Sequence, residues 1–209
     1  MHQRNYQSAG KEPGPGSKVL IMLHGRGANA EDIMDLSKYL DIRDFSIVAP
    51  QATNHTWYPY SFLAPRSANE PWLSSALSLI DSIVEELLSK GVGRESIYFL
   101  GFSQGACLTL EYVGRNAAKY GGVVAFTGGL IGEKIETESY KGNFDGTPVF
   151  IGTSDPDPHV PVERVNQTTE ILNSLNAAVT TKVYKAMGHT ISQDEIEQAN
   201  QLVFNRTVN

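Results

Sequence analysis

The chain has a single cysteine in 209 residues, Cys107, so an internal disulfide, a thiol pair and a cysteine metal cluster are all excluded. Positive charge is also scarce: 17 Lys and Arg against 23 Asp and Glu give a formal net charge of -6, and the basic residues never run together. Without a basic stripe there is no electrostatic footprint for a phosphate backbone or an anionic membrane, so no nucleic acid partner is expected. No stretch approaches the roughly 18 consecutive apolar residues of a membrane span, so stable membrane insertion is not expected either. The first 18 residues are polar and broken by Gly and Pro, unlike the apolar centre of a secretion signal. The expected location is cytoplasmic, and the glycosylation sequons at Asn54, Asn166 and Asn205 carry no weight there.

Apolar residues make up 41% of the chain and charged ones 19%, a globular balance at a length that can bury about 70% of its unfolded surface. No repeat, low-complexity tract or linker divides it, so residues 1–209 read as one domain. Solid apolar runs at 19–23, 45–49, 97–100, 123–126, 149–151 and 179–184 read as strands. Between them lie helical patterns. Asn29 caps a stripe of Ile33, Met34, Leu36, Tyr39 and Leu40, and 72–90 carries Leu73, Ala76, Leu77, Ile80, Val84, Leu87 and Leu88 on one side. A third helix is expected from Gly105 to about Lys119, a fourth after Pro161, and a last one behind the Ser192–Glu195 capping box. Strands that are apolar on both faces and alternate with helices imply an α/β fold, a mostly parallel sheet with helices on both sides. Residues 1–17 are expected as an N-terminal extension or edge hairpin.

Gly101-Phe102-Ser103-Gln104-Gly105 sits where a strand hands over to a helix. A serine there is turned sharply out of the strand with its hydroxyl exposed, the flanking glycines relieve crowding, and the helix N-terminus favours developing negative charge. The partners such a nucleophile needs follow in chain order, an acid and then a histidine, each in a loop after a later strand. His189 in Met187-Gly188-His189-Thr190 is the base, and Asp157 or Asp155 in the loop before Pro161 is the acid; two carboxylates so close cannot be separated by spacing. The loop Leu23-His24-Gly25-Arg26-Gly27 follows the first apolar strand, and the backbone N–H groups of Arg26 and Gln104 are the expected oxyanion-hole donors.

Residues 51–71 hold Trp57, Tyr58, Tyr60 and Phe62, with Trp72 just beyond, and sustain neither strand nor helix periodicity. Such a segment is expected as a pocket wall or a lid over the substrate, or as a surface for homodimer formation. His24 is expected to shape the glycine loop beside it, His2, His55 and His159 are weaker candidates for chemistry, and Cys107 reads as a small core residue. Asp155, Asp157 and His159 match no familiar metal-ligand spacing, so no metal site is expected.

Taken in order, Leu23-His24-Gly25-x-Gly27, Gly101-Phe102-Ser103-Gln104-Gly105, Asp157-Pro158-His159-Val160-Pro161 and Gly188-His189 resemble the phospholipase/carboxylesterase family of α/β-hydrolases, which includes the acyl-protein thioesterases. The resemblance runs from about Val19 to His189 and implies the α/β-hydrolase fold. It favours Asp157, the acid ahead of Pro-x-Val-Pro, as the triad acid. It also implies hydrolysis of carboxylic esters, lysophospholipids or acyl thioesters through an acyl-enzyme on Ser103, without a cofactor. Arg26 stands where the thioesterases usually carry an apolar residue, and Trp57-Tyr58-Pro59-Tyr60 differs from their acyl-channel loop. A small or short-acyl ester is therefore the expected substrate. A non-hydrolytic binding protein or lyase on the same fold is the alternative from another class.

Overall fold

In a computed structural model, which describes residues 1–205, the sheet is laid down by seven strands: β1 (Tyr6–Ala9), β2 (Lys18–Leu23), β3 (Phe45–Pro50), β4 (Ile97–Phe102), β5 (Gly122–Phe126), β6 (Pro148–Asp155) and β7 (Ala178–Lys185). Their order across the sheet is β1-β3-β2-β4-β5-β6-β7, with β1 antiparallel to β3 and every other pairing parallel. Five helices connect them: α1 (Ala30–Met34), α2 (Trp72–Ser89), α3 (Gln104–Arg115), α4 (Val162–Ser174) and α5 (Gln193–Ala199). Side chains along β2 show why the strands read as unbroken apolar runs. Val19, Ile21 and Leu23 enter the core under α2, α3 and α4, while Leu20 and Met22 enter the one under α1, α5 and the closing turn Asn200–Phe204. Period two persists, but both phases are buried.

Three expectations shift. The N-terminal segment forms an edge strand against β3 rather than a hairpin with its neighbour in sequence, and Tyr6-Gln7-Ser8-Ala9 is mostly exposed, so no apolar phase announced it. The first helix is cut short at Met34 and continues as a tighter turn over Asp35–Lys38, although Leu40 and Ile42 beyond it are still buried. The third stops at Arg115 because Ala117 leaves to pair with the 141–143 segment: its N–H donates to Lys141 O, and its carbonyl accepts from Asn143 N. The α2 stripe holds at Leu73, Ala76, Ile80, Val84 and Leu87; Leu79 and Ile83 are buried as well, while Leu77 and Leu88 are half-buried. Of the sequons, Arg206 and Thr207 lie outside the described residues.

Parallel pairing has a consequence for chemistry, because it brings the C-terminal ends of β2, β3, β4, β6 and β7 to one edge of the sheet. The loops that leave those ends carry Gly25 and Arg26, the aromatic segment, Ser103, Asp157 and His189. In open α/β sheets that edge is where ligands are bound.

Candidate active site

Ser103 sits between β4 and α3 at φ +54° and ψ -117°, a backbone conformation that costs a non-glycine residue about 1–3 kcal/mol. The turn is held by Ser103 N–H donating to Phe126 O at 2.9 Å and by close backbone packing on either side. A Cβ at Gly101 would collide with the carbonyl of Gly105, and one at Gly105 with the carbonyl of Leu23, so both positions demand glycine. The result presents the hydroxyl at the mouth of the turn. His189 Nε2 lies 2.8 Å from Ser103 Oγ, across a sequence separation of 86 residues.

The other imidazole nitrogen of His189, Nδ1, is 2.8 Å from Asp157 Oδ2. Asp157 Oδ1 accepts backbone N–H groups from His159 at 2.7 Å and Val160 at 2.8 Å, so the carboxylate is fixed in place by three donors. Burial opposes its ionisation, but the hydrogen bonds from His189 and the two amides outweigh that and hold its carboxyl below the usual carboxylate range. Asp155, left open by spacing, is the exposed last residue of β6 and serves through its main chain, its carbonyl accepting from Ala186 N at 2.9 Å. Sequence reasoning missed Ser154: this buried side chain accepts Gly188 N–H at 3.0 Å and ties the His189 loop to β6. Phe102 and the exposed His159 flank the His189 ring at centroid distances of 5.3 and 4.8 Å.

On the far side of Ser103 lies the loop after β2. A methyl on Gly25 would sit 3.6 Å from Ser103 Cβ, which measures how closely this loop approaches the hydroxyl. Gln104 opens α3, so its N–H lies outside the helical ladder, and no acceptor among the described residues takes the Arg26 N–H. Arg26 and Gln104 both line the cleft beside Ser103. His24 shapes this loop as expected: its Nε2 accepts Ala52 N–H at 3.1 Å, which leaves Nδ1 to donate to Gly25 O at 2.7 Å, and burial keeps its pKa below the ordinary histidine value.

A cleft of about 800 Å³ opens over Ser103, with Tyr58, Tyr60 and Phe62 on one wall and Pro158, His159 and Val160 on the other. Two of the expected pocket residues are elsewhere. Trp57 is fully buried beneath the wall, its indole N–H donating to His24 O at 2.9 Å, and Trp72 packs edge-on against His2, away from the cleft. A tryptophan's large apolar ring and single donor suit a buried site with one acceptor, and the Trp57 ring is spent there rather than facing substrate. The wall itself is pinned by polar side chains, among them Asn69, fully buried, whose Oδ1 accepts Tyr60 N–H at 2.8 Å and whose Nδ2 donates to Ser61 O at 3.0 Å. Nothing in the spacing marked Asn69. Cys107 lies at the cleft floor with its thiol pushed by burial up to about 12, a thiol rather than a thiolate at neutral pH.

Comparison with known proteins identifies the family and the fold. A crystal structure titled phospholipase/carboxylesterase from Dyadobacter fermentans superposes with a TM-score of 0.96 at 52% identity, covering 98% of each chain. Acyl-protein thioesterase 1 of Kluyveromyces lactis is 27% identical over 90% of this chain and 92% of its own length, and that of Saccharomyces cerevisiae 28% identical over 88% and 90%. The family model described as Phospholipase/Carboxylesterase matches residues 9–204, nearly the whole chain, and with it the protein belongs to that family of α/β-hydrolases and is a serine hydrolase of the esterase type.

Proposed function

We propose that the protein hydrolyses small or short-acyl carboxylic esters through an acyl-enzyme on Ser103, with His189 as general base and then general acid, and Asp157 as its orienting carboxylate. The observation that carries this reading is the continuous path from Ser103 Oγ to His189 Nε2 at 2.8 Å and from His189 Nδ1 to Asp157 Oδ2 at 2.8 Å. In the first half-reaction the Ser103 oxygen bonds to the substrate carbonyl carbon while its proton passes to His189 Nε2. The tetrahedral oxyanion is held by the N–H groups of Arg26 and Gln104, donors that gain strength as charge develops. Collapse expels the alcohol, which takes the proton from His189. Water, activated by the same imidazole, then releases the acid. Serine, histidine and water supply every step, so the reaction calls for no cofactor or metal.

A second reading, acyl thioester hydrolysis, is favoured by the relatives named acyl-protein thioesterase 1. The two separate on substrate series. With p-nitrophenyl esters from acetate to palmitate, the expected result is turnover with an optimum at short chains, lost in Ser103→Ala by about 10⁶-fold in kcat while the variant keeps its circular dichroism spectrum. An optimum at long chains, or faster turnover of the matched thioesters, would move the assignment to the second reading. Turnover that survives in Ser103→Ala would reject both.

A further inference from the structure

The acyl-transfer reading uses only the backbone N–H of Arg26 and leaves its side chain unexplained. That side chain is exposed, yet its guanidinium makes four hydrogen bonds, all to one segment of the aromatic wall. Nη1 donates to Thr56 Oγ1 at 2.9 Å and Pro59 O at 3.0 Å; Nη2 donates to Tyr58 O at 2.9 Å and Tyr60 O at 2.8 Å. All of these acceptors are neutral oxygens, so geometry rather than ion pairing decides the contact. A planar fork of donors meets that geometry, and a point charge such as an ammonium does not.

Gln104, the other proposed donor to the oxyanion, reaches the same place. Its Nε2 donates to Tyr58 O at 2.8 Å, and its Oε1 accepts Trp57 N–H at 2.9 Å. The carbonyl of Tyr58 therefore takes side-chain donors from both residues proposed above to hold the oxyanion. Among the described residues, no hydrogen bond holds the N–H or carbonyl of Arg26 itself. Gly25 and Gly27 flank it, Gly27 sits at φ +81° in open space, and the bonds that hold the loop fall on those neighbours: Gly25 O accepts from His24 Nδ1 at 2.7 Å, Gly27 N–H donates to His55 O at 2.7 Å, and Ala28 O accepts from His55 Nδ1 at 2.8 Å. Glycine on both sides leaves the intervening peptide more backbone freedom than other residues would, and a side-chain tether at Arg26 narrows it.

We propose that Arg26 is a positioning residue whose guanidinium bolts the peptide carrying the oxyanion donor to the wall segment 56–60, so that hole and wall form one rigid unit. This rests on the acyl-transfer reading above. A clamp of this kind acts on kcat, because the donor it aims matters most when the oxyanion forms, and it leaves ground-state binding of a small ester nearly untouched.

The test compares wild type with Arg26→Met and Arg26→Lys. It measures kcat and KM on p-nitrophenyl acetate and butyrate, the rate of fluorophosphonate labelling, and hydrogen exchange of the Trp57 and Tyr60 amides. In Arg26→Met we expect kcat and labelling to fall together by roughly 10- to 100-fold, less than the roughly 10²–10³ of deleting a hole donor outright, with KM within about two-fold. Exchange at 57–60 should rise about ten-fold as the wall opens locally. Arg26→Lys should fail to rescue either property, and it carries the comparison alone if circular dichroism shows Arg26→Met unfolded. Unchanged kcat, a change confined to KM, or a fall in kcat without faster exchange would each overturn the proposal. If wild type neither turns over any ester nor takes the phosphonate, the acyl-transfer reading fails instead, and the exchange rates alone decide whether Arg26 holds the wall.

Discussion

At the scale of single residues, Asp157 illustrates how one carboxylate can be chosen between two that spacing leaves equivalent. It is Asp157 whose side chain is buried against His189 and met by two amides, and the tight turn through Pro158 and His159 is what brings those amides round. Asp157→Asn keeps the shape but replaces an acceptor by a group that can donate to His189 Nδ1, favouring the wrong imidazole tautomer. A loss of about 10⁴ in kcat is expected, with KM little changed, and stopped assays on p-nitrophenyl acetate read it directly. The same substitution has a signature in stability. The native carboxyl is held below its unfolded pKa of about 3.9, so at pH values between the two the unfolded chain binds more protons than the folded one. Its contribution is complete above the unfolded value and is lost as pH falls through the native one. Urea titrations from pH 5 down to pH 2.5 should show a shallower loss of stability in Asp157→Asn than in wild type, and equal slopes would contradict the assigned role of the hydrogen bonds.

At the scale of elements, what was legible depended on whether an element's pattern has one dominant cause. The central strands and α2 owe everything to burial, and the capping boxes at Asn29 and Ser192 form as their residue types and spacing predict. A serine, an acid and a histidine in that order, at Ser103, Asp155 or Asp157, and His189, could be read for a similar reason, since each follows an apolar strand, while the preference for Asp157 came from the family resemblance alone. Edge strand β1 was not legible, because only Tyr6 of Tyr-Gln-Ser-Ala packs on the core and the rest pairs while exposed, which leaves no apolar phase. The wall was half legible: its aromatics announced a function, but Trp57 is buried beneath it and Trp72 packs on His2, and the polar side chains that pin it, Arg26 and Gln104 far away in sequence and Asn69 close by, follow no periodic pattern. Asn69 is the sharpest case. Asn69→Ala would strand Tyr60 N–H and Ser61 O, costing about 1–3 kcal/mol for each group left unpaired, and lowering the melting temperature by several degrees in a chain of this length. A melting temperature within one degree of wild type would show that water replaces the amide at no cost.

At the scale of the whole molecule, the aromatic segment carries a consequence for assembly. As a sequence it looked like an apolar surface that a lone chain would leave uncovered. In the folded chain Trp57, Tyr58 and Phe62 are buried, and Tyr60 is the one large aromatic of that segment left exposed. Among the described residues the other exposed large apolar side chains, Met1, Tyr39 and Val183, lie on separate segments. Stable homodimers bury roughly 800 Å² per partner around an apolar centre, and isolated side chains on different faces do not supply one. The net charge of -6 adds mutual repulsion at low salt. The expected outcome is therefore a single sedimenting species near 22.9 kDa, unchanged between micromolar and high-micromolar concentration and between low and moderate salt. A mass that doubles with concentration would mean that an interface forms without an apolar centre. If ester turnover per chain rose with that mass, the second copy would have to be completing the cleft over Ser103.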